Sequence, residues 1–159
     1  MMLSVCEPSL GPEEKAALMD VTDSGWITMG EKVRQFEQAF AALHGAQDCV
    51  VVGSSTAALH LIMLGLGLGP GDEVLVPGLT FVASCNSVLY VGAKPVFVDI
   101  ESSDLPLMSL EDAASKCSPT TKAVILVHYA GYLPDREKWQ AFAANPGSWS
   151  SRMPHTQPG

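Results

Sequence analysis

The stretch Val50-Val51-Val52-Gly53-Ser54-Ser55-Thr56-Ala57-Ala58-Leu59-His60 reads as a strand feeding a helix. Three consecutive valines suit a buried strand, Gly53-Ser54-Ser55-Thr56 a tight turn, and the apolar residues 57–66 a helix that opens on hydroxyl side chains. The first turn of a helix leaves backbone N–H groups unpaired at the positive end of the helix dipole. With the hydroxyls of Ser54, Ser55 and Thr56 added, this turn is suited to holding a phosphate. An ordinary strand-to-helix turn with a Ser/Thr cap fits the same residues, and spacing alone leaves both readings open.

Outward from that turn, strands and helices alternate. On the N-terminal side, Gly11-Pro12-Glu13-Glu14 starts a helix that should fade near Asp23-Ser24-Gly25, and Gly25-Trp26-Ile27-Thr28-Met29-Gly30 makes a loop. Val33, Phe36, Phe40 and Leu43 mark one apolar face of a second helix, ending at His44-Gly45. On the C-terminal side strands are expected at 73–77, 95–100 and 122–127, and helices at 79–90, from Ser109 to Cys117, and at 134–144. Ser109-Leu110-Glu111-Asp112 has capping-box spacing. Strands apolar on both faces imply an α/β fold, a mostly parallel sheet with helices on both faces. Ligands of such sheets sit at the carboxyl ends of the strands. Four loops should lie there, at 53–56, 77–81, 99–102 and 128–131.

Composition narrows the function. At 159 residues, 47% of them hydrophobic, the chain has the length of one domain with a normal core, and no linker divides it. A net charge of −8 with no Lys/Arg cluster argues against a nucleic-acid partner. Cys6, Cys49, Cys85 and Cys117 are far apart and lack metal-ligand spacing, so free thiols in the cytoplasm are expected. The N-terminus lacks a signal-peptide pattern and the longest apolar run, 57–68, is too short to span a bilayer, so neither secretion nor a membrane partner is expected.

Single residues remain two-sided. Gly65-Leu66-Gly67-Leu68-Gly69-Pro70-Gly71 follows a helix and precedes a strand, the reverse of a dinucleotide fingerprint. His60, one turn into an apolar helix, reads as a packing residue, and Asp99 as a turn cap at a strand end. His128 falls at a strand end before Gly131, which permits close approach; it is structural or ligand-facing. Phe81 is core or a platform for a flat ring.

Taken in order, several segments resemble one family. They are Gly25-Trp26-Ile27-Thr28-Met29-Gly30, Gly53-Ser54-Ser55-Thr56-Ala57-Ala58-Leu59-His60, Gly69-Pro70-Gly71-Asp72-Glu73-Val74, Leu79-Thr80-Phe81-Val82-Ala83-Ser84, Gly92-Ala93-Lys94-Pro95-Val96-Phe97-Val98-Asp99, and 119–122 with Val127-His128-Tyr129-Ala130-Gly131. They are similar to successive motifs of the pyridoxal-phosphate-dependent nucleotide-sugar aminotransferases, the DegT/DnrJ/EryC1/StrS family. The Trp-Ile-Thr and His-Tyr-Ala-Gly spellings resemble the branch making aminoarabinose precursors. The resemblance implies the front part of a fold-type I large domain over residues 1–144. It further implies that Ser55 and Thr56 hold the phosphate of pyridoxal 5′-phosphate, that Phe81 stacks on its ring, and that Trp26, Thr28 and His128 line the substrate pocket. The family moves an amino group from an amino acid, usually glutamate, to a nucleotide-linked keto sugar for cell-surface or secondary-metabolite sugars, and works as a homodimer.

The chain also departs from that pattern. The family's Schiff-base lysine should lie beyond the end of this sequence, and Lys15, Lys32, Lys94, Lys116, Lys122 and Lys138 do not match its motif. No catalytic residue is therefore assigned, and a truncated, inactive product is expected. Residues 145–159 have no apolar period and are rich in Pro, Gly and Ser, which predicts a disordered tail where a strand is due. Read one frame over, codons for Trp149 to Thr156 can spell Val-Ile-Glu-Asp-Ala-Ala-His, which contains the family's missing ring-nitrogen Asp motif. Two rival readings are a small non-catalytic domain binding a phosphorylated ligand, and a piece of another fold-type I enzyme such as a cysteine desulfurase.

Overall fold

A computed structural model describes residues 8–144 of the chain. The expectations for the tail at 145–159 and for Cys6 lie outside the described residues. The contacts divide the chain into two units, with the boundary between Val51 and Val52.

The first unit carries two helices, α1 (Pro12–Asp23) and α2 (Glu31–His44). Pro12 occupies the first helical position, where its missing N–H costs nothing, and the Gly11 N–H donates to the Glu14 carboxylate at 2.6 Å. Gly45 ends α2 in the left-handed region at φ 62°. Its N–H bonds the Ala42 carbonyl and the Ala46 N–H bonds the Ala41 carbonyl, the paired closure of a Schellman motif. The apolar face read from the sequence stays largely uncovered in this unit. Phe36 and Phe40 stack with ring centroids 5.6 Å apart and both are exposed, and in α2 only Ala41 is buried.

The strand expected at the valine run 50–52 does not form. A strand needs a neighbour to satisfy its N–H and C=O groups, and no ladder among the described residues includes this segment. The Val51 N–H instead donates to the Glu37 carboxylate at 2.9 Å, and Val50 is 74% exposed.

The second unit holds α3 (Ser55–Gly65), β1 (Glu73–Pro77), α4 (Ala83–Tyr90), β2 (Lys94–Val98), α5 (Leu110–Lys116), β3 (Thr121–Val124) and α6 (Arg136–Ala144). The sheet runs β2-β1-β3 with both pairings parallel, Leu75 standing opposite Val96 on one side and Val124 on the other. Helices cover both faces, as the apolar strands require. Val74 and Val76 of β1 pack with Met63 of α3, Val88 of α4, Leu68 and Ile125, while Leu75 points the other way into Val98, Met108, Ala113, Ala114, Trp139 and Phe142. The pleat of one fully buried strand therefore divides the core in two.

Several boundaries differ from the sequence expectation for physical reasons. The helix expected at 79–90 starts only at Ala83, because residues 78–82 are held as a loop by side-chain and cross-strand bonds described below. The strand expected at 95–100 ends its ladder at Val98, and Ile100 makes an antiparallel bridge to Met108. The strand expected at 122–127 pairs only to Val124; the Ile125 N–H reaches the Leu75 carbonyl, and beyond it Val76 and Pro77 of β1 are paired with β2 alone. Helix α6 begins at Arg136 because Asp135 caps it, accepting from the Lys138 N–H at 3.1 Å. Ser109 caps α5 through the Asp112 N–H, but Asp112 does not complete a capping box. Its carboxylate reaches the Asp99 N–H at 2.7 Å and Lys116 at 2.6 Å. Burial raises the Asp112 carboxyl, and the Asp99 N–H and Lys116 together outweigh it, so the group lies below its ordinary value.

One carboxylate gathers the amino ends of all three strands. Glu73 of β1 accepts from Lys94 Nζ at 2.8 Å, at the start of β2, and from Ser118 Oγ at 2.5 Å, just before β3. Those two donors hold its carboxyl below the usual range. A depressed carboxyl contributes stability that is present above the unfolded-state value, roughly pH 4.3, and is lost as pH falls through the folded-state value. The urea midpoint should therefore drop as pH is lowered from about 5 toward 3, and E73Q should flatten that drop; a variant with the wild-type pH profile would exclude this role. Truncating the fully buried Leu75, in L75A, should cost about 3 kcal/mol in urea denaturation.

Candidate functional site

The turn before α3 is shaped by Ser54. Its backbone is extended, at φ −164° and ψ 158°, and its Oγ accepts the Ala57 N–H at 3.1 Å, while its carbonyl receives the Ala58 N–H at 3.0 Å. Ala57 and Ala58 are thereby satisfied locally. The N–H groups of Ser55 and Thr56, the first two helical residues, have no acceptor within the helix. Ser55 is exposed and Thr56 half-buried, and each carries a hydroxyl in the same first turn as those N–H groups. Gly53 has open space where a Cβ would be, which leaves room at the mouth of the turn. Two N–H donors, two hydroxyls and the helix dipole together fit an anion.

Helix α4 lies on the same face of the sheet as α3, their contact including His60 edge-on to Tyr90 with ring centroids 5.2 Å apart. His60 is thus a packing residue, as its setting suggested. The two helices also finish together: Pro70, just before β1, packs on Gly92, just before β2, and the Asp72 carbonyl accepts the Lys94 N–H at 2.9 Å. With their C-terminal ends at the amino side of the strands, both helices point their N-termini toward the carboxyl ends. Phe81 sits ahead of α4, 76% exposed, in a loop that leaves the carboxyl end of β1. It is not a core residue.

The loop carrying Phe81 is tightly built. The Gly78 N–H donates to the Val98 carbonyl at 2.7 Å, and a Cβ at Gly78 would stand 3.3 Å from that same oxygen, so the backbone passes close to the end of β2. The Thr80 and Ser84 hydroxyls are 2.9 Å apart, the Ser84 N–H bonds the Phe81 carbonyl at 3.1 Å, and Ser87 Oγ donates to the Ser84 carbonyl at 3.0 Å. Sequence reading assigned no role to Thr80 or Ser84. The spacing of four between two hydroxyl residues at a helix start was the available signal.

His128 takes a different position. It follows β3, ahead of a 3-10 turn at Tyr129–Gly131 in which Ala130 adopts φ 51° and Gly131 φ 83°. It lines a cavity of about 360 Å³ with Val124, Leu126, Trp139, Gln140 and Ala143, on the α6 side of the sheet. Ser55, Thr56 and Phe81 belong to elements of the opposite face; no hydrogen bond among the described residues joins His128 to them. Asp99 behaves as a turn residue, its carboxylate accepting the Ile100 N–H at 2.8 Å.

In the first unit, Trp26 and Thr28 line an open depression of about 530 Å³ between α1 and α2. Trp26 Nε1 donates to the Met29 carbonyl at 2.9 Å, and its ring lies over Gly30, where a Cβ would come within 2.5 Å of Trp26 Cδ1. Gly30 is thus required for the indole to fold back over the loop. Among the described residues no group of His, Cys, Asp and Glu could hold a metal ion, and Cys49, Cys85 and Cys117 are free. No described helix is long and apolar enough to cross a membrane.

Comparison with known proteins agrees with this geometry. The model of the DegT/DnrJ/EryC1/StrS aminotransferase family matches residues 8–149. Among solved structures, a protein from Streptococcus pneumoniae assigned as a sugar aminotransferase, solved in its PLP form, is 36% identical with a TM-score of 0.78, over 84% of this chain and 34% of that one. DesV of S. venezuelae is 37% identical with a TM-score of 0.78, over 85% of this chain and 36% of its own. An aminotransferase from Psychrobacter cryohalolentis is 33% identical with a TM-score of 0.81, over 87% and 35%. The chain spans about a third of the length of the structures it matches. The Streptococcus pneumoniae protein is known in PLP and PMP forms and DesV in complex with a ketimine intermediate, and aminotransferases of the matched family are pyridoxal-phosphate-dependent. With the family model matching residues 8–149, nearly the whole sequence, the chain belongs to the DegT/DnrJ/EryC1/StrS aminotransferase family.

Proposed function

We propose that this chain is the cofactor-cradling front part of a sugar aminotransferase, acting in its whole form on a nucleotide-linked keto sugar with an amino acid such as glutamate as donor. The observation that carries the reading is the α3 N-terminus, where the N–H groups of Ser55 and Thr56 have no acceptor within the helix, together with the exposed Phe81 in the loop that leads into α4, the helix packed beside α3. Those residues fit the two ends of pyridoxal 5′-phosphate, an anion and a flat ring. When bound, that cofactor supplies an electron sink for bonds at the carbon bearing the amino group. Ser55 and Thr56 would hold the phosphate by charge-assisted bonds, and Phe81 would cover one face of the ring and keep water from it. Trp26, Thr28 and His128 are proposed substrate contacts. The parent enzyme would be a cytoplasmic homodimer serving polysaccharide or secondary-metabolite sugar synthesis.

The chain as it stands is proposed to be catalytically silent. None of the lysines at 15, 32, 94, 116, 122 and 138 falls in the motif of the family's proton-moving lysine. A shift of reading frame near codon 145 accounts for the change in composition there, since the shifted codons can supply Val-Ile-Glu-Asp-Ala-Ala-His.

Two measurements test this. Titration of the full chain with pyridoxal 5′-phosphate should show weakening by roughly tenfold in T56V, with unphosphorylated pyridoxal unaffected; equal loss for both ligands would show that Thr56 does not meet the phosphate. Borohydride treatment of the mixture should fix cofactor at no single lysine, and glutamate should donate no amino group. In the gene itself, an open second frame continuing the family pattern past codon 145 supports the shift, whereas early stop codons in that frame would favour the rival reading of a small non-catalytic binding domain.

A further inference from the structure

Phe81 poses a problem of order. A ring that is 76% exposed is not held by packing, and no aromatic partner among the described residues lies against it. Its direction must come from the backbone that carries it. At α4 the cap residue is Val82, whose side chain cannot accept a hydrogen bond from the first turn. The turn is closed instead by Thr80 Oγ1 against Ser84 Oγ at 2.9 Å, the two residues that bracket Phe81, Val82 and Ala83. Ser84 is only 6% exposed, and Ser87, fully buried below it, donates its hydroxyl to the Ser84 carbonyl. On the other side the Gly78 N–H pins the loop to Val98. The ring therefore sits between two anchors, one to β2 and one within α4.

We propose that Thr80 and Ser84 are positioning residues: their hydroxyl pair fixes the 78–82 loop so that the Phe81 ring is presented before any ligand arrives. This rests on the reading of Phe81 as the platform for the cofactor ring. Preorganisation of a contact lowers the ordering cost of binding, and a half-satisfied buried hydroxyl, as at Ser84 once Thr80 is lost, destabilises the closed turn. Thr80 to valine keeps shape and removes only the hydroxyl. Thr80 to serine keeps the hydroxyl.

The test uses the full chain and pyridoxamine 5′-phosphate, whose own fluorescence reports binding and which cannot condense with lysines. T80V should weaken binding by roughly fivefold, T80S should bind within about twofold of wild type, and T80V/F81L should bind no more weakly than F81L alone. Independent, additive effects in that cycle would overturn the inference, as would T80S behaving like T80V. In the ligand-free chain, T80V should speed amide exchange at residues 79–84 while the β1 amides at Val74–Val76 stay protected; unchanged exchange at 79–84 overturns the inference regardless of ligand. If F81L binds as tightly as wild type while T80V still loosens the loop, the platform reading fails and the hydroxyl clamp stands as geometry alone.

Discussion

Strand β1 is flanked by both other strands of the sheet, and the second unit depends on that position. Its Val74, Leu75 and Val76 have no exposed surface, and each faces a different helical layer from its neighbour. A strand buried on both faces can tolerate few polar residues, and β1 has none between Glu73 and Pro77. Because its two edges are hydrogen-bonded to β2 and β3, the loop leaving its carboxyl end has a fixed origin. Phe81 is four residues beyond that origin. The site inherits its rigidity from the strand, and the strand from its isolation from water.

What was legible from the sequence was whatever local chemistry decides. Glu73–Pro77 was read to the residue because a short apolar run is bounded by Gly71-Asp72 and by Pro77-Gly78. Helix α1 begins at its N1 proline, α2 ends at its left-handed glycine, and Ser109 caps α5, each a signal carried by one or two side chains. The valine run 50–52 failed because strand propensity describes a residue's fit to a pleated neighbour, and that neighbour is absent from the described ladders. The late start of α4 failed for another reason. Leu79-Thr80-Phe81-Val82 is an apolar run that continues into the helix without a Gly or Pro break, and only the Gly78–Val98 and Thr80–Ser84 bonds reveal it as a loop.

The site divides along the same line. Ser55 and Thr56 could be nominated because a hydroxyl run after glycine, ahead of an apolar helix, has a direct electrostatic meaning. Phe81 needed the resemblance to be separated from a core residue, and its exposure agrees with that separation. His128 shows how little a strand-end position specifies. The ladder of β3 ends at Val124, yet Leu126 and His128 go on to line the cavity against α6 together with Val124.

Two kinds of order meet at the proposed cofactor cradle, and they fail differently. The phosphate end is a property of one helix: Ser54 caps it, the dipole sums along it, and neither depends on distant residues. The ring end is tertiary, since Phe81 is directed by a loop tied to β2 and by a hydroxyl pair at the start of α4. A change that loosens the sheet should therefore blur the aromatic platform before it disturbs the anion turn. This asymmetry follows from the lengths of the hydrogen-bonded paths: the Ser54 cap spans three residues, whereas the path from Gly78 to Val98 crosses between two strands. Local caps keep their geometry while a helix persists, but a cross-strand anchor lasts only as long as the ladder on which it depends.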